Sequence, residues 1–317
     1  MIDYVIYGRI IIDKIYLPNG EVVENLLGGG SPQAAFGARV WSKSVGLLVR
    51  SGVDIPAEAV KSMQALDIDL SGWVKYPDLA TTMGIPIRYD HEDYRIVDLS
   101  AEDKIRNFYD RFTKFHSRII PIPESYRAPK VVHFLSDLPQ EPMIESIFKL
   151  RETGAIVSLE PMIDCKTWSN LVGMLELIKK ADIISPDWPS AAKVANEDSP
   201  AKVMRHWINM LSESPTQLIS VRHGGNGSYV WDRNSDKIWH VPPIEIEKVD
   251  TTGCGNCFAG GLSVGWEKSR DARMAAASAT ASAMFMLQQV GMPVMSEKIE
   301  KQAVLWRDQI LDHIKPI

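Results

Sequence analysis

Val249-Asp250-Thr251-Thr252-Gly253-Cys254-Gly255-Asn256-Cys257-Phe258-Ala259-Gly260-Gly261 is the stretch whose residue types and spacing speak most directly of chemistry. An Asp-Thr-Thr turn gives way to two glycines flanking one small residue, and a run of small apolar residues follows. Glycines at 253 and 255 let the backbone turn sharply and let another molecule come close. A helix starting there directs its free N–H groups and the positive end of its dipole at whatever lies in front. Such a start suits an anion, most often a phosphate. The same pattern also serves a strand-to-helix turn that merely packs tightly, and on these residues alone the two readings are even. One side chain limits the chemistry: after Gly255 comes Asn256, an amide and not a carboxylate.

The elements needed to position this stretch can be read along the chain. Tyr4 to Ile12 is β-branched and aromatic, reads as one buried strand interrupted by Gly8, and ends at Asp13. In open α/β sheets ligands bind beyond the carboxyl ends of strands, which puts Asp13 where it can meet a hydroxyl, although a turn aspartate is the blander account. Gly28-Gly29-Gly30-Ser31-Pro32 opens a helix, with Ser31 as N-cap and Pro32 at the first helical position. The bare backbone of Gly29 and Gly30 invites a ligand, and Gln33 in the first turn is placed to offer its amide. Val45 to Arg50 reads as a strand and Pro56 to Leu66 as a helix.

Residues 71–99 alternate apolar and polar, from Trp73 through Tyr89 to Tyr94 and Leu99, as half-buried antiparallel strands do. An antiparallel insertion in an α/β chain suits a lid over the site, with a decorative edge sheet as the rival account. Beyond Asn107 strands at 130–135, 155–159, 182–185 and 217–221 alternate with helices at 141–151, 168–179 and 199–211. That rhythm predicts a parallel, doubly wound sheet with helices on both faces. Arg222 to Ser228, with Gly224 and Gly227, reads as a turn that leads into a short strand at Tyr229–Trp231, whose hairpin partner is Ile238–Val241. Helices from Phe258, from Asp271 and from about Ser296 follow. The chain reads as a single domain over 1–317.

Composition narrows the class. Of 317 residues 45% are hydrophobic and 24% charged, an ordinary globular balance. A formal net charge of −5 with scattered basic residues gives no reason to expect nucleic acid as a partner. No apolar run reaches membrane-spanning length and the N-terminus lacks the pattern of a signal peptide, so a cytoplasmic protein is expected. Cys254 and Cys257 have C-x-x-C spacing, but late in a long chain two small residues are the better reading than a redox pair. The seven histidines are dispersed and no zinc spacing occurs, so no metal ligands are assigned. A dinucleotide enzyme is rejected because Gly8 lacks the G-x-G-x-x-G continuation.

In this order the pieces resemble the PfkB/ribokinase family of sugar and nucleoside kinases over nearly the whole length. Four features carry the resemblance: Gly8 to Asp13, the Gly28-Gly29-Gly30-Ser31-Pro32 helix start, the Gly224 to Gly227 turn, and Asp250-Thr251-Thr252-Gly253-Cys254-Gly255. The last is close to the family's Asp-Thr-x-Gly-Ala-Gly-Asp. The resemblance implies a three-layer α/β/α ribokinase-like domain with a small antiparallel β lid from about 13–24 and 71–99. It implies ATP and Mg2+, with phosphoryl transfer to a hydroxyl of a sugar or nucleoside. By position Asp13, Gly29, Gly30 and Gln33 would face that acceptor. The amides of Gly253, Cys254 and Gly255 would form an anion hole, and Gly224, Gly227, Gln288 and Val290 would border the nucleotide. Family members often pair through the lid, so a homodimer is an expectation as well.

The departures matter as much. Asn256 stands where the family has its general base, and a neutral amide cannot take a proton. Loss of a base typically costs about 10²–10⁴-fold in rate. Asp187 to Ser190 replaces the family's Asn-x-x-Glu, and Glu160-Pro161-Met162-Ile163-Asp164 replaces its Asp-Pro-Asn-x-Arg. Together with Gly37-Ala38-Arg39 these residues resemble a divergent branch, known mainly from fungi, that also has Asn at the base position. Two readings follow: a kinase that tolerates Asn256, and a pseudokinase that binds nucleotide or a sugar-like ligand without transfer.

Overall fold

The computed structural model of the chain describes residues 1–17, 19–89, 95–96 and 102–317. Its strands are β1 (Tyr4–Tyr7), β2 (Ile11–Tyr16), β3 (Val22–Gly28), β4 (Val45–Gly52), β5 (Asp69–Tyr76), β6 (Arg88–Tyr89) and β7 (Arg95–Ile96), followed by β8 (Val131–Ser136), β9 (Ile156–Pro161), β10 (Ile183–Ile184), β11 (Leu218–Arg222), β12 (Ser228–Asp232), β13 (Ile238–Val241) and β14 (Lys315–Pro316). Its α-helices are α1 (Ser31–Arg39), α2 (Ala57–Gln64), α3 (Glu102–His116), α4 (Met143–Lys149), α5 (Leu171–Ile178), α6 (Trp188–Ala195), α7 (Pro200–Met210), α8 (Cys254–Ser269), α9 (Ala272–Leu287) and α10 (Glu297–Leu311).

Ten strands make one sheet in the order β14-β13-β12-β11-β10-β9-β8-β1-β4-β5. From β11 to β5 every pairing is parallel, and β12, β13 and β14 extend it antiparallel. The chain runs from β1 outward to β4 and β5, then crosses back to β8 and continues to β11 on the other side. Such a reversal opens a crevice at the carboxyl ends of the central strands. Two small antiparallel pairs, β2–β3 and β6–β7, stand apart from this sheet.

Alternation along β1 shows why helices cover both faces. Val5 and Tyr7 join the core beneath α4 to α7, whereas Tyr4 and Ile6 join the core beneath α1 and α8. On the second face small residues let helices touch backbone to backbone. A Cβ on Gly37 would collide with the Cys257 carbonyl, and one on Gly260 with the Ala34 carbonyl. A Cβ on Gly265 would lie 2.9 Å from Ala275 Cα in α9. This close packing fixes α8 along the sheet, so that its N-terminus meets the carboxyl ends of β9 and β11.

Four local expectations are corrected. The strand expected over 4–12 breaks after Tyr7, because Ser31 of α1 fills the space a side chain at Gly8 would need. The chain therefore leaves the sheet and forms the β2–β3 hairpin. Residues 71–76, expected among antiparallel strands, belong to β5, the parallel edge of the main sheet, with Trp73 opposite Val49. Among the described residues of that region the antiparallel pairing is that of β6–β7, while Tyr94 and Leu99 lie outside the described residues. Ser31 is not the cap of α1 but its first residue, and Gly30 takes the cap position with φ 88°. Helices α3 and α6 were not anticipated.

Candidate active site

The start of α8 is built by Asp250. Its Oδ1 accepts from Thr252 N at 3.1 Å and from Thr252 Oγ1 at 2.8 Å, which folds the turn. Gly253 follows as the cap with φ 79°, and a side chain there would press on Gln33 of α1. Gln33 is buried and commits both ends of its amide to the glycine turn, accepting from Gly30 N at 3.1 Å and donating to Leu27 O at 2.9 Å. It thus props the turn that α8 faces. Tyr89 of β6 reaches across to Thr252, hydroxyl to hydroxyl at 2.9 Å. Neither Cys254 nor Cys257 is in a disulfide; Cys257 is wholly buried, and burial pushes its thiol well up.

Behind the first turn of α8 lies a charged group that links three elements. Asn256 Nδ2 donates to Glu160 Oε1 at 3.0 Å, and Arg222 Nη1 donates to the same oxygen at 2.6 Å. Glu160 stands at the carboxyl end of β9 and Arg222 at that of β11. The Arg222 guanidinium rests on α8 so closely that a Cβ on Gly255 would strike it. A side chain at 255 would have to push the end of Arg222 aside. On the other side Asn256 faces Gly30, where a Cβ would fall 2.9 Å from Asn256 Nδ2. Asn256 therefore sits between the glycine turn and the Glu160–Arg222 pair.

The acceptor-side residues form a second group. Asp13 in β2 is buried, and Gly28 and Gly84 leave room for its carboxylate. Arg9, between β1 and β2, pairs with Asp137 at 2.7 Å, and its backbone N donates to Ser31 Oγ at 2.6 Å. A bridge joins Arg9 to Gly30.

A cavity of about 560 Å³ opens on the far side of the α8 start. Gly255, Arg222, Gly224 and Gly227 line it, and Ile246 and Phe258 are part of its apolar wall. Gly227 has φ 84° and packs against the Val241 carbonyl, so only glycine fits the turn. From α9 the wall is Thr280, Ala283, Met284 and Leu287. Gln288 and Val290, singled out from the sequence, come just after this wall, Gln288 as the C-cap of α9. Asp187 caps α6 by accepting from Ser190 N at 3.0 Å. Trp188 then stacks on His223 with centroids 3.9 Å apart and planes at 12°. Burial lowers the His223 pKa, with His240 adding to the effect.

Burial governs the ionisable groups under the site. It pushes His133, beside Ser158, down to about 3, helped by the charge of Arg222. His116 is likewise pushed down to about 3 by burial. Glu141, hydrogen-bonded by Tyr7 and by Arg50, is pushed up by burial to about 9.

Sequence reasoning missed Arg222, Arg9 and Tyr89. Arg222 follows four buried residues of β11 directly before the Gly224 turn, and a charge at the carboxyl end of a central strand was the available signal. Arg9 carried the same signal after β1. Tyr89 had none, because its partner Thr252 lies 163 residues away.

A family model described as pfkB family carbohydrate kinase matches residues 124–298. A cytidine kinase of Thermococcus kodakarensis is 26% identical over 85% of this chain and 90% of its own length. An uncharacterized protein of Schizosaccharomyces pombe is 22% identical over 94% of this chain and 88% of its own. Among solved structures, a putative Ribokinase II from E. coli in complex with ATP and Mg2+ matches with a TM-score of 0.70 and 17% identity. That match covers 96% of this chain and all of the other.

Proposed function

The chain belongs to the pfkB family of carbohydrate kinases, and from that premise we propose that it transfers the terminal phosphoryl group of ATP to a hydroxyl of a nucleoside or sugar. The observation that carries this reading is the position of the α8 start, which stands between two spaces. On one side is the cavity of about 560 Å³; on the other are Asp13, Gly29 and Gly30. A phosphoryl at the Gly253-Cys254-Gly255 amides would face a nucleotide on one side and an acceptor on the other. Phosphoryl transfer depends mainly on such positioning and on charge stabilisation. The cytidine kinase likeness favours nucleosides as the first acceptors to test.

The residues present fit ATP: the cavity has an apolar wall for a base, and Arg222 and the start of α8 line it for phosphates. For Mg2+, no cluster of three or more His, Cys, Asp or Glu among the described residues could hold a metal. Magnesium is commonly held by one or two carboxylates and by substrate phosphates, and Asp187 on the cavity wall is a carboxylate placed for that. When bound, the ion would neutralise phosphate charge.

Asn256 orients and does not deprotonate. Its side chain is a hydrogen-bond donor to Glu160, so the acceptor's proton leaves to solvent or to the phosphoryl group itself, and transfer is slow. The β2–β3 and β6–β7 pairs, with Tyr89 against Thr252, supply the lid. Thermal stabilisation by ATP with Mg2+ tests nucleotide binding; no stabilisation at millimolar nucleotide contradicts it. A pseudokinase is the second reading, favoured by Asn256 in place of the base.

A further inference from the structure

We propose that Arg222 is a ligand for the terminal phosphoryl group, held in place by Glu160; the inference rests on the kinase reading above. Arg222 ends β11 and lines the cavity, and its side chain is 14% exposed. One of its nitrogens, Nη1, is taken by Glu160, while Nε is buried without an acceptor. Its guanidinium lies against Gly255, within the first turn of α8. A cation at the positive end of a helix is unfavourable unless an anion offsets both.

Glu160 offsets one charge only. Its side chain is 3% exposed and its Oε1 already serves both Arg222 and Asn256. With an amide at 256, this corner has one negative charge fewer than a carboxylate there would give. His133 behind it is kept neutral by burial. With Glu160 spent on Arg222, the α8 start has no charge of its own to offset it, and Arg222 still offers an unbonded Nε in a planar fork suited to phosphate oxygens. Glu160 acts through Arg222 and is a positioning residue.

The test is calorimetric titration with ATP, ADP and adenosine in the presence of Mg2+, on wild type, Arg222→Ala, Arg222→Lys and Glu160→Gln. Wild type should bind ATP more tightly than ADP. Arg222→Ala should lose about 10- to 100-fold in ATP affinity, lose less for ADP and keep adenosine unchanged. Arg222→Lys should recover part of the loss, and Glu160→Gln should fall between. An ATP-to-ADP ratio unchanged in Arg222→Ala overturns the inference, whether all three affinities persist or all drop together. A wild type that binds none of the three contradicts the kinase reading itself.

Discussion

Asn256 and Glu160 stand side chain to side chain, the Asn256 amide donating to Glu160 Oε1 across 3.0 Å. Residue 256 is thereby matched to a carboxylate neighbour and not merely deprived of its own. The pairing explains why the two departures, Asn256 and Glu160, occur together. A carboxylate at 256 would set two acids within hydrogen-bond distance, whereas an amide satisfies Glu160 and leaves Arg222 as its counter-ion.

Asn256→Asp should therefore fail as a simple repair. Two carboxylates about 3 Å apart share a proton, and one titrates well above its usual range. A folded-state pKa raised above the unfolded value gives stability that is present at low pH and lost as pH rises through it. Melting temperature in Asn256→Asp should fall relative to wild type between pH 5 and 8. Adding Glu160→Gln should remove that pH dependence, because the introduced carboxylate then becomes the partner of Arg222, and raise transfer by about 10²-fold or more. A single Asn256→Asp as stable at pH 8 as wild type would contradict this.

Much of this was legible in the sequence, and the limits have physical causes. Local rules located the parallel sheet, because buried strands and amphipathic helices carry their periods in the residues. The Asp250 to Gly255 turn was legible because its chemistry is written in adjacent positions. Glu160 and Asn256 are 96 positions apart, and only the sheet order β11-β10-β9 brings Arg222 to both. The α3 helix was overlooked although Phe108, Phe112 and Phe115 have helical spacing. Residues 71–76 alternate as an exposed antiparallel strand would, since β5 is an edge strand with one open side.

Gly260→Ala should separate α1 from α8. The new Cβ would overlap the Ala34 carbonyl, which as backbone cannot swing away. Overpacking of this kind costs about 1–3 kcal/mol. Urea denaturation should show a lower midpoint with an unchanged slope.

Acid should destabilise the fold through His116 and His133. Both are held near 3 by burial, below the unfolded value of 6.5. Here the unfolded chain binds more protons, so stability is lost as pH falls from 6.5 toward 3. Each histidine contributes at most about 1.4 kcal/mol per pH unit in that window. Denaturation at about pH 7, 5 and 4 should show a pH slope reduced by one proton in His133→Gln.

Tyr89→Phe should loosen the β6–β7 pair from the α8 start by removing the bond to Thr252. A hydrogen bond worth about 1 kcal/mol corresponds to roughly a fivefold rise in acceptor KM. Steady-state kinetics at saturating ATP should show that rise with kcat little changed.

The central claim is that an intact phosphate cradle transfers phosphoryl slowly without a base at 256. Purified protein incubated with γ-labelled ATP, Mg2+ and millimolar nucleosides and sugars tests it most directly. A labelled phosphate monoester should form slowly from at least one acceptor and be lost with Gly255→Leu, which would displace Arg222. Tight ATP binding with no labelled product from any acceptor would contradict it and leave the pseudokinase.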